Sequence, residues 1–141
     1  MLHRLPDELQ VTYDASEGEV FERLFPRAYL DPTEEEAERE WQALVHPDLL
    51  AQRLANLDAV RATFERFEGS GELREATLVD EEPDAWLAML NDARLALGTR
   101  LGVTEETDLE TASPDHADAG SYAVYGWLTF IEGELVEALL E

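Results

Sequence analysis

A chain of 141 residues, 45% of them hydrophobic, is the size of one domain and long enough to bury one sizeable core. Its net charge of -23, from 33 acidic residues against 10 basic ones, repels phosphate backbones and anionic lipid and excludes nonspecific binding to either. The absence of cysteine excludes disulfides and thiolate metal sites within these residues.

The chain opens on "MLHRLPDELQVTYD", which lacks the apolar run of a signal peptide, and no segment approaches a membrane span, so the expected location is the cytoplasm. Residues 1–14 read as loosely ordered or as a short strand. Leu9, Val11 and Tyr13 alternate, and "ATLVD" at Ala76–Asp80 is the expected partner in a small two-stranded accessory. Ser16 and Glu19 form a capping-box pattern for a short helix ending near Phe25. Asp31 and Pro32 then open a second helix, with Glu34, Glu35 and Glu36 at the positive end of its dipole and Ala37, Trp41, Leu44 and Val45 as its apolar stripe.

Pro47 is expected to open a longer helix to Phe67, and "EGSGE" to follow it as a turn. A fourth helix runs from Asp80 and Pro83 to Leu101, closed by Gly102. Residues 103–120 read as a long acidic loop, and a last helix runs from Ser121 to Leu140. The fold class is therefore all-α, a single-domain bundle of four to five helices over residues 1–141.

On a helical wheel, Trp86, Leu90, Ala93, Leu97 and Leu101 share one side of the fourth helix. Arg94 lies inside that arc and Arg100 on its flank, while Asp92 and Thr99 fall opposite, toward solvent. Glu132 sits within the apolar arc of the last helix, and Arg53 between Val60 and Phe64 on the long one. An unpaired buried charge costs several kcal/mol, so Glu132 is expected to pair with Arg94 or Arg100, with Arg53, Asn56 and Asn91 completing a network. Arginine suits the role because its planar fork holds a carboxylate in two places and stays charged.

Gly126 and Gly133 each weaken the last helix and so point to a closely approaching backbone, in the same chain or a second subunit. Trp127 and Phe130 lie off the main apolar arc and mark a partner-binding surface, which includes homodimer contact, together with the acidic loop from Thr104 to Asp118. Histidines 3, 46 and 116 have no ligand-spaced partners outside "DHAD" in the acidic loop, so no metal is expected. Phosphate-binding, dinucleotide and nucleophile motifs are absent, and neither a cofactor nor a catalytic residue is expected.

The stretches "RLFPRAYLDPTEEEAEREWQ", "AWLAMLNDARLALGTRLGV" and "YGWLTFIEGELVEALL" resemble a family of uncharacterised actinobacterial helical proteins, a domain of unknown function. The resemblance runs from Arg23 to the C-terminus and is strongest at "LNDARLALGTRLGV", matching Asn91, Asp92, Arg94, Gly98, Thr99, Arg100, Leu101 and Gly102. Genes of that family often lie beside the gene for the Clp-protease adaptor that delivers N-degron substrates, so the resemblance implies a link to regulated proteolysis. A lysine-free composition, as a GC-rich genome produces, agrees with such an origin.

The expectation is a non-catalytic regulatory or adaptor-like protein that binds another protein. The alternative is a small-anion or small-ligand pocket lined by Arg53, Arg94 and Arg100, with Glu132 in the anion's place when empty. A third reading makes Glu132 a general base, which requires it to face a solvent-connected cleft.

Overall fold

The computed structural model describes residues 1–104 and 119–141. Among these residues are five α-helices and one hairpin: α1 (Leu5–Asp14), α2 (Glu19–Leu24), α3 (Glu35–Glu65), β1 (Glu68–Ser70), β2 (Leu73–Glu75), α4 (Glu82–Leu101) and α5 (Ala119–Leu140). The all-α reading, with five helices and a two-stranded accessory, holds. The acidic-loop residues 105–118, with "DHAD" among them, lie outside the described residues.

The first correction is at the N-terminus, where residues 5–14 are helix rather than strand. Leu5, Leu9, Thr12 and Tyr13 are buried whereas Val11 is exposed, so the three-and-four spacing prevails over the alternation of Leu9, Val11 and Tyr13. Pro6 stands in the first turn, where its missing N–H costs nothing, and Asp7 and Glu8 complement the dipole. The strand partner is displaced too: β1 pairs antiparallel with β2, Gly69 opposite Arg74, and Ala76–Asp80 is not a strand. Gly69 has φ +124°, and a Cβ there would lie 2.2 Å from the Leu73 carbonyl oxygen, so only glycine fits that register.

The capping box at Ser16 does not form. Ser16 takes φ 62° and its hydroxyl donates to the Asp14 carbonyl at 3.4 Å, while Gly18 is the residue before α2. Asp31 does act as a cap: its carboxylate accepts from the Thr33 amide at 2.9 Å, opening the 3-10 turn Pro32–Glu34 that leads into α3.

The two middle helices are one. α3 runs unbroken through Pro47, which withholds one bond from the carbonyl one turn earlier. Both Ala43 and Pro47 are exposed, so water can satisfy that carbonyl and the helix continues. The N-terminal half of α3 buries only Glu38, whose carboxylate accepts from the amides of Ala28 and Tyr29 at 3.1 and 2.8 Å; Leu44 of the expected stripe is 77% exposed.

α4 is the axis of the fold. It packs against α1, α2, α3 and α5, and it supplies Ala85, Trp86, Met89, Leu90, Ala93 and Ala96 to a core completed by Leu9, Tyr13, Leu24, Phe25, Leu57, Val60 and Leu128. Gly102 closes it at φ 68°, in the left-handed conformation. Two arginines fix its neighbours: Arg61 on α3 binds Asp7 of α1 at 2.8 Å, and Arg66 grips Glu82 at the start of α4 through both nitrogens of its fork. α5 makes its extended contact with α4, through a stripe of Val124, Leu128, Ile131 and Leu135.

Candidate functional site

The arginines expected to share one network are divided among three places. Arg53, reaching from α3, donates to Asp92 Oδ2 of α4 at 2.9 Å. The Tyr13 hydroxyl of α1 donates to the same oxygen at 2.6 Å. The Arg53 guanidinium also lies 4.7 Å from the centre of the Phe25 ring, within cation–π range. Three segments distant in sequence thus converge on one carboxylate.

Asp92 is only 5% exposed, which corrects its solvent-facing assignment. α4 packs against four helices, and Asp92 falls where α1 and α3 meet it, so the face that stays partly open is that of Asp84, Leu87, Ala88, Asn91 and Leu95 instead. Burial pushes the Asp92 carboxyl above its ordinary range, opposed by the Tyr13 hydroxyl and the Arg53 charge. Burial pushes the Tyr13 phenol upward as well, and the neighbouring Asp92 carboxylate adds to the effect. By joining side chains of α1, α3 and α4 on one oxygen, the cluster works as a latch between those helices.

The second cluster joins α4 to α5. Arg94 Nε lies 3.2 Å from Glu132 Oε2, and Arg94 Nη2 donates to Asn91 Oδ1 at 3.2 Å. The Nε–Oε2 contact is ionic without hydrogen-bond alignment, and both atoms are buried. The structure brings Arg94, Asn91 and Glu132 together; Arg53 is elsewhere, and Asn56 accepts from Gln52 within α3.

Arg100 stands apart from both, its Nη2 at 3.5 Å from the Thr12 hydroxyl. It borders a cavity of about 270 Å³ between α1, α4 and α5, lined by apolar residues that include Leu9, Ala96, Leu97, Val124 and Leu128. The three-arginine pocket is therefore not assembled: Arg53 and Arg94 are occupied by carboxylates, and only Arg100 reaches the cavity.

α5 leaves a second face uncovered. Trp127 is 38% exposed and Phe130 61% exposed. Trp127 lines a groove of about 640 Å³ together with Leu2, Phe64, Phe67, Glu72 and Arg74, so the hairpin and the end of α3 form its other wall. Among the described residues no backbone approaches Gly126 or Gly133, since a Cβ at either would meet nothing within 4 Å. The close approach occurs instead at Gly98, where a Cβ would lie 2.9 Å from the Tyr125 ring.

Sequence reasoning did not find the latch of Tyr13, Arg53 and Asp92. A helical reading of residues 5–14 offered the one available signal, by turning Tyr13 inward with Leu9. Among the described residues no group of acidic and histidine side chains could hold a metal ion, and no helix is long and apolar enough to cross a membrane.

The chain is similar to proteins of mycobacteria. It is 30% identical over 104 residues to the putative oxidative stress regulator AosR of Mycobacterium leprae, a match covering 70% of this chain and 43% of that protein. It is 36% identical over 63 residues to the oxidative stress regulator AosR of Mycobacterium tuberculosis, covering 45% of this chain and 28% of the relative. The matched segments thus span less than half the length of these curated relatives. No solved structure matches the chain. A profile of the family described as "Domain of unknown function (DUF2017)" matches residues 2–139, and on that near-complete match the chain belongs to this family.

Proposed function

We propose that the chain is a non-catalytic regulatory module that acts by binding another protein at the Trp127 groove. One observation carries this reading: Trp127 and two phenylalanines, Phe64 and Phe67, line a surface groove between the flank of α5, the end of α3 and the hairpin. Exposed aromatic side chains in a concave setting are the usual anchors of protein interfaces. Arg74 and Glu72 at the hairpin edge supply the polar rim such a surface needs.

The names of the relatives support a regulatory role. Thiols are common sensors of oxidants, and none of these 141 residues is cysteine, so regulation through this chain rests on what it binds and not on thiol chemistry of its own. The gene neighbourhood implied by the family resemblance makes a component of Clp-dependent proteolysis the first partner to test.

The test is affinity purification of the tagged chain from its host, beside a Trp127→Ala variant of equal melting temperature. A protein held stoichiometrically by the unaltered chain and lost from the variant supports the reading. An identical set of co-purifying proteins from both overturns it.

The cavity beside Arg100 favours a second reading. Its apolar walls and single guanidinium suit a small amphiphilic carboxylate. Native mass spectrometry of the gently purified protein would show such a ligand as added mass, lost in Arg100→Leu. Bare mass in both would remove this reading and leave the groove untouched.

A further inference from the structure

The outer face of α5 has a spacing that the groove does not use. Ala123, Gly126, Phe130, Gly133, Glu137 and Leu140 follow one another at alternating intervals of three and four residues, the seam of a helix that packs against a second helix. The stripe that packs on α4, with Leu128 at its centre, lies on the opposite side of the helix. Phe130 is 61% exposed and Leu140 82% exposed, and nothing stands within 4 Å of a Cβ at Gly126 or Gly133. Among the described residues nothing fills this seam.

We infer that a second copy of this chain covers it, with the two α5 helices antiparallel about a two-fold axis between Ile131 and Glu132. The argument is size complementarity. Antiparallel pairing about that point sets residue 130 against 133, 126 against 137 and 123 against 140. Every such pair joins a large side chain to a small one: Phe130 to Gly133, Glu137 to Gly126, Leu140 to Ala123. A two-fold interface must be complementary to itself, and this face satisfies that along its whole length.

Charge selects the same direction. The charged side chains of α5 are all acidic, and Glu134 and Glu137 lie toward its C-terminal end. A parallel pair would set each glutamate beside its own copy. The antiparallel pair separates the two Glu137 side chains by about 16 Å along the axis, at 1.5 Å per residue, and seats each over a glycine of the other helix. Paired along this 18-residue seam, two helices overlap for about 27 Å.

The inference concerns a different face from the Trp127 groove and does not depend on it. Sedimentation equilibrium of the full chain at physiological salt, which screens repulsion between two chains of charge -23, should show a dimer. Phe130→Glu should weaken association at least tenfold with unchanged helical content. Gly133→Phe should do the same, and the exchange Phe130→Gly with Gly133→Phe should restore the dimer, because residue 130 still faces 133.

The cysteine-free chain also allows direct mapping. Mixed Gly126→Cys and Glu137→Cys proteins should form the mixed disulfide in preference to either self-linked product. A wild-type monomer, a dimer indifferent to Phe130→Glu, or cross-linking of each variant mainly with itself would overturn the inference. A monomer that still captures a partner through Trp127 would sink this inference alone; a dimer that captures none would sink only the groove reading.

Discussion

The Tyr13 hydroxyl and Asp92 Oδ2 lie 2.6 Å apart, across 79 residues of sequence, and Arg53 donates to the same oxygen. This contact ties the first helix to the central one and lets α4 carry a carboxylate in the interior. Its energetic weight follows from what each partner loses when another is removed.

Asp92→Leu deletes the shared acceptor and leaves a buried hydroxyl and a three-quarters buried guanidinium without a carboxylate. The expected cost is about 3 kcal/mol, the lower end for breaking a buried pair, because Arg53 keeps some access to water. Urea unfolding followed by circular dichroism measures it. Tyr13→Phe removes one hydrogen bond and should cost only about 1 kcal/mol.

The Arg94–Glu132 pair is less enclosed, its side chains 30% and 16% exposed, and the contact lacks hydrogen-bond alignment. Glu132→Gln is expected to lower stability by about 1–2 kcal/mol, between the values for exposed and buried pairs. The double replacement Arg94→Leu with Glu132→Leu should cost less than the sum of the singles. A double-mutant cycle on melting temperatures reads the difference; strict additivity would mean that the two charges do not interact.

Glu82 contributes to the acid limb of the stability curve. The Arg66 fork holds its carboxyl down to about 2 from the usual 4.5, with the Val79 amide assisting. Because the folded value is depressed, the stabilisation is fully present above about pH 4.5 and is lost as pH falls toward 2. Stability measured between pH 6 and 2 should therefore fall less steeply in Glu82→Gln than in the unaltered chain. Equal slopes would show that the pair does not persist in solution.

Gly98 faces the Tyr125 ring, with a Cβ distance of 2.9 Å. Gly98→Leu should therefore separate α5 from α4 and cost about 2 kcal/mol, as overpacking does. In Gly98→Ala the ring must shift, and the gain in helix propensity of about 1 kcal/mol offsets much of the cost. Thermal melts of the two variants distinguish a tight helix crossing, where leucine is far worse than alanine, from a loose one that accepts both.

The extents of α4 and α5 were legible in the sequence because each rests on local properties: a three-and-four periodicity in both, and in α4 also acids and Pro83 at the start and Gly102 at the close. The same locality explains the misreadings. Leu9, Val11 and Tyr13 satisfy two periods at once, and Pro47 normally opens or breaks a helix, so only burial and the exposure of Ala43 decide between the alternatives. Arg94 and Glu132 could be placed on inward arcs from their own helices, but the distance between them depends on how α4 and α5 are set against each other.

By itself the sequence determined an all-α chain, highly acidic and cysteine-free, with arginines on interior arcs and aromatics turned outward on its last helix. The tertiary structure decided which charge meets which. A helical wheel records one element's periodicity and cannot say how many neighbours will cover it. Because α1 and α3 both pack on α4, Asp92 on its nominally wet side became the centre of a buried latch. Because the described residues pack α5 along one side, its outer seam stays open among them. Those are consequences of chain topology, and no local pattern encodes them.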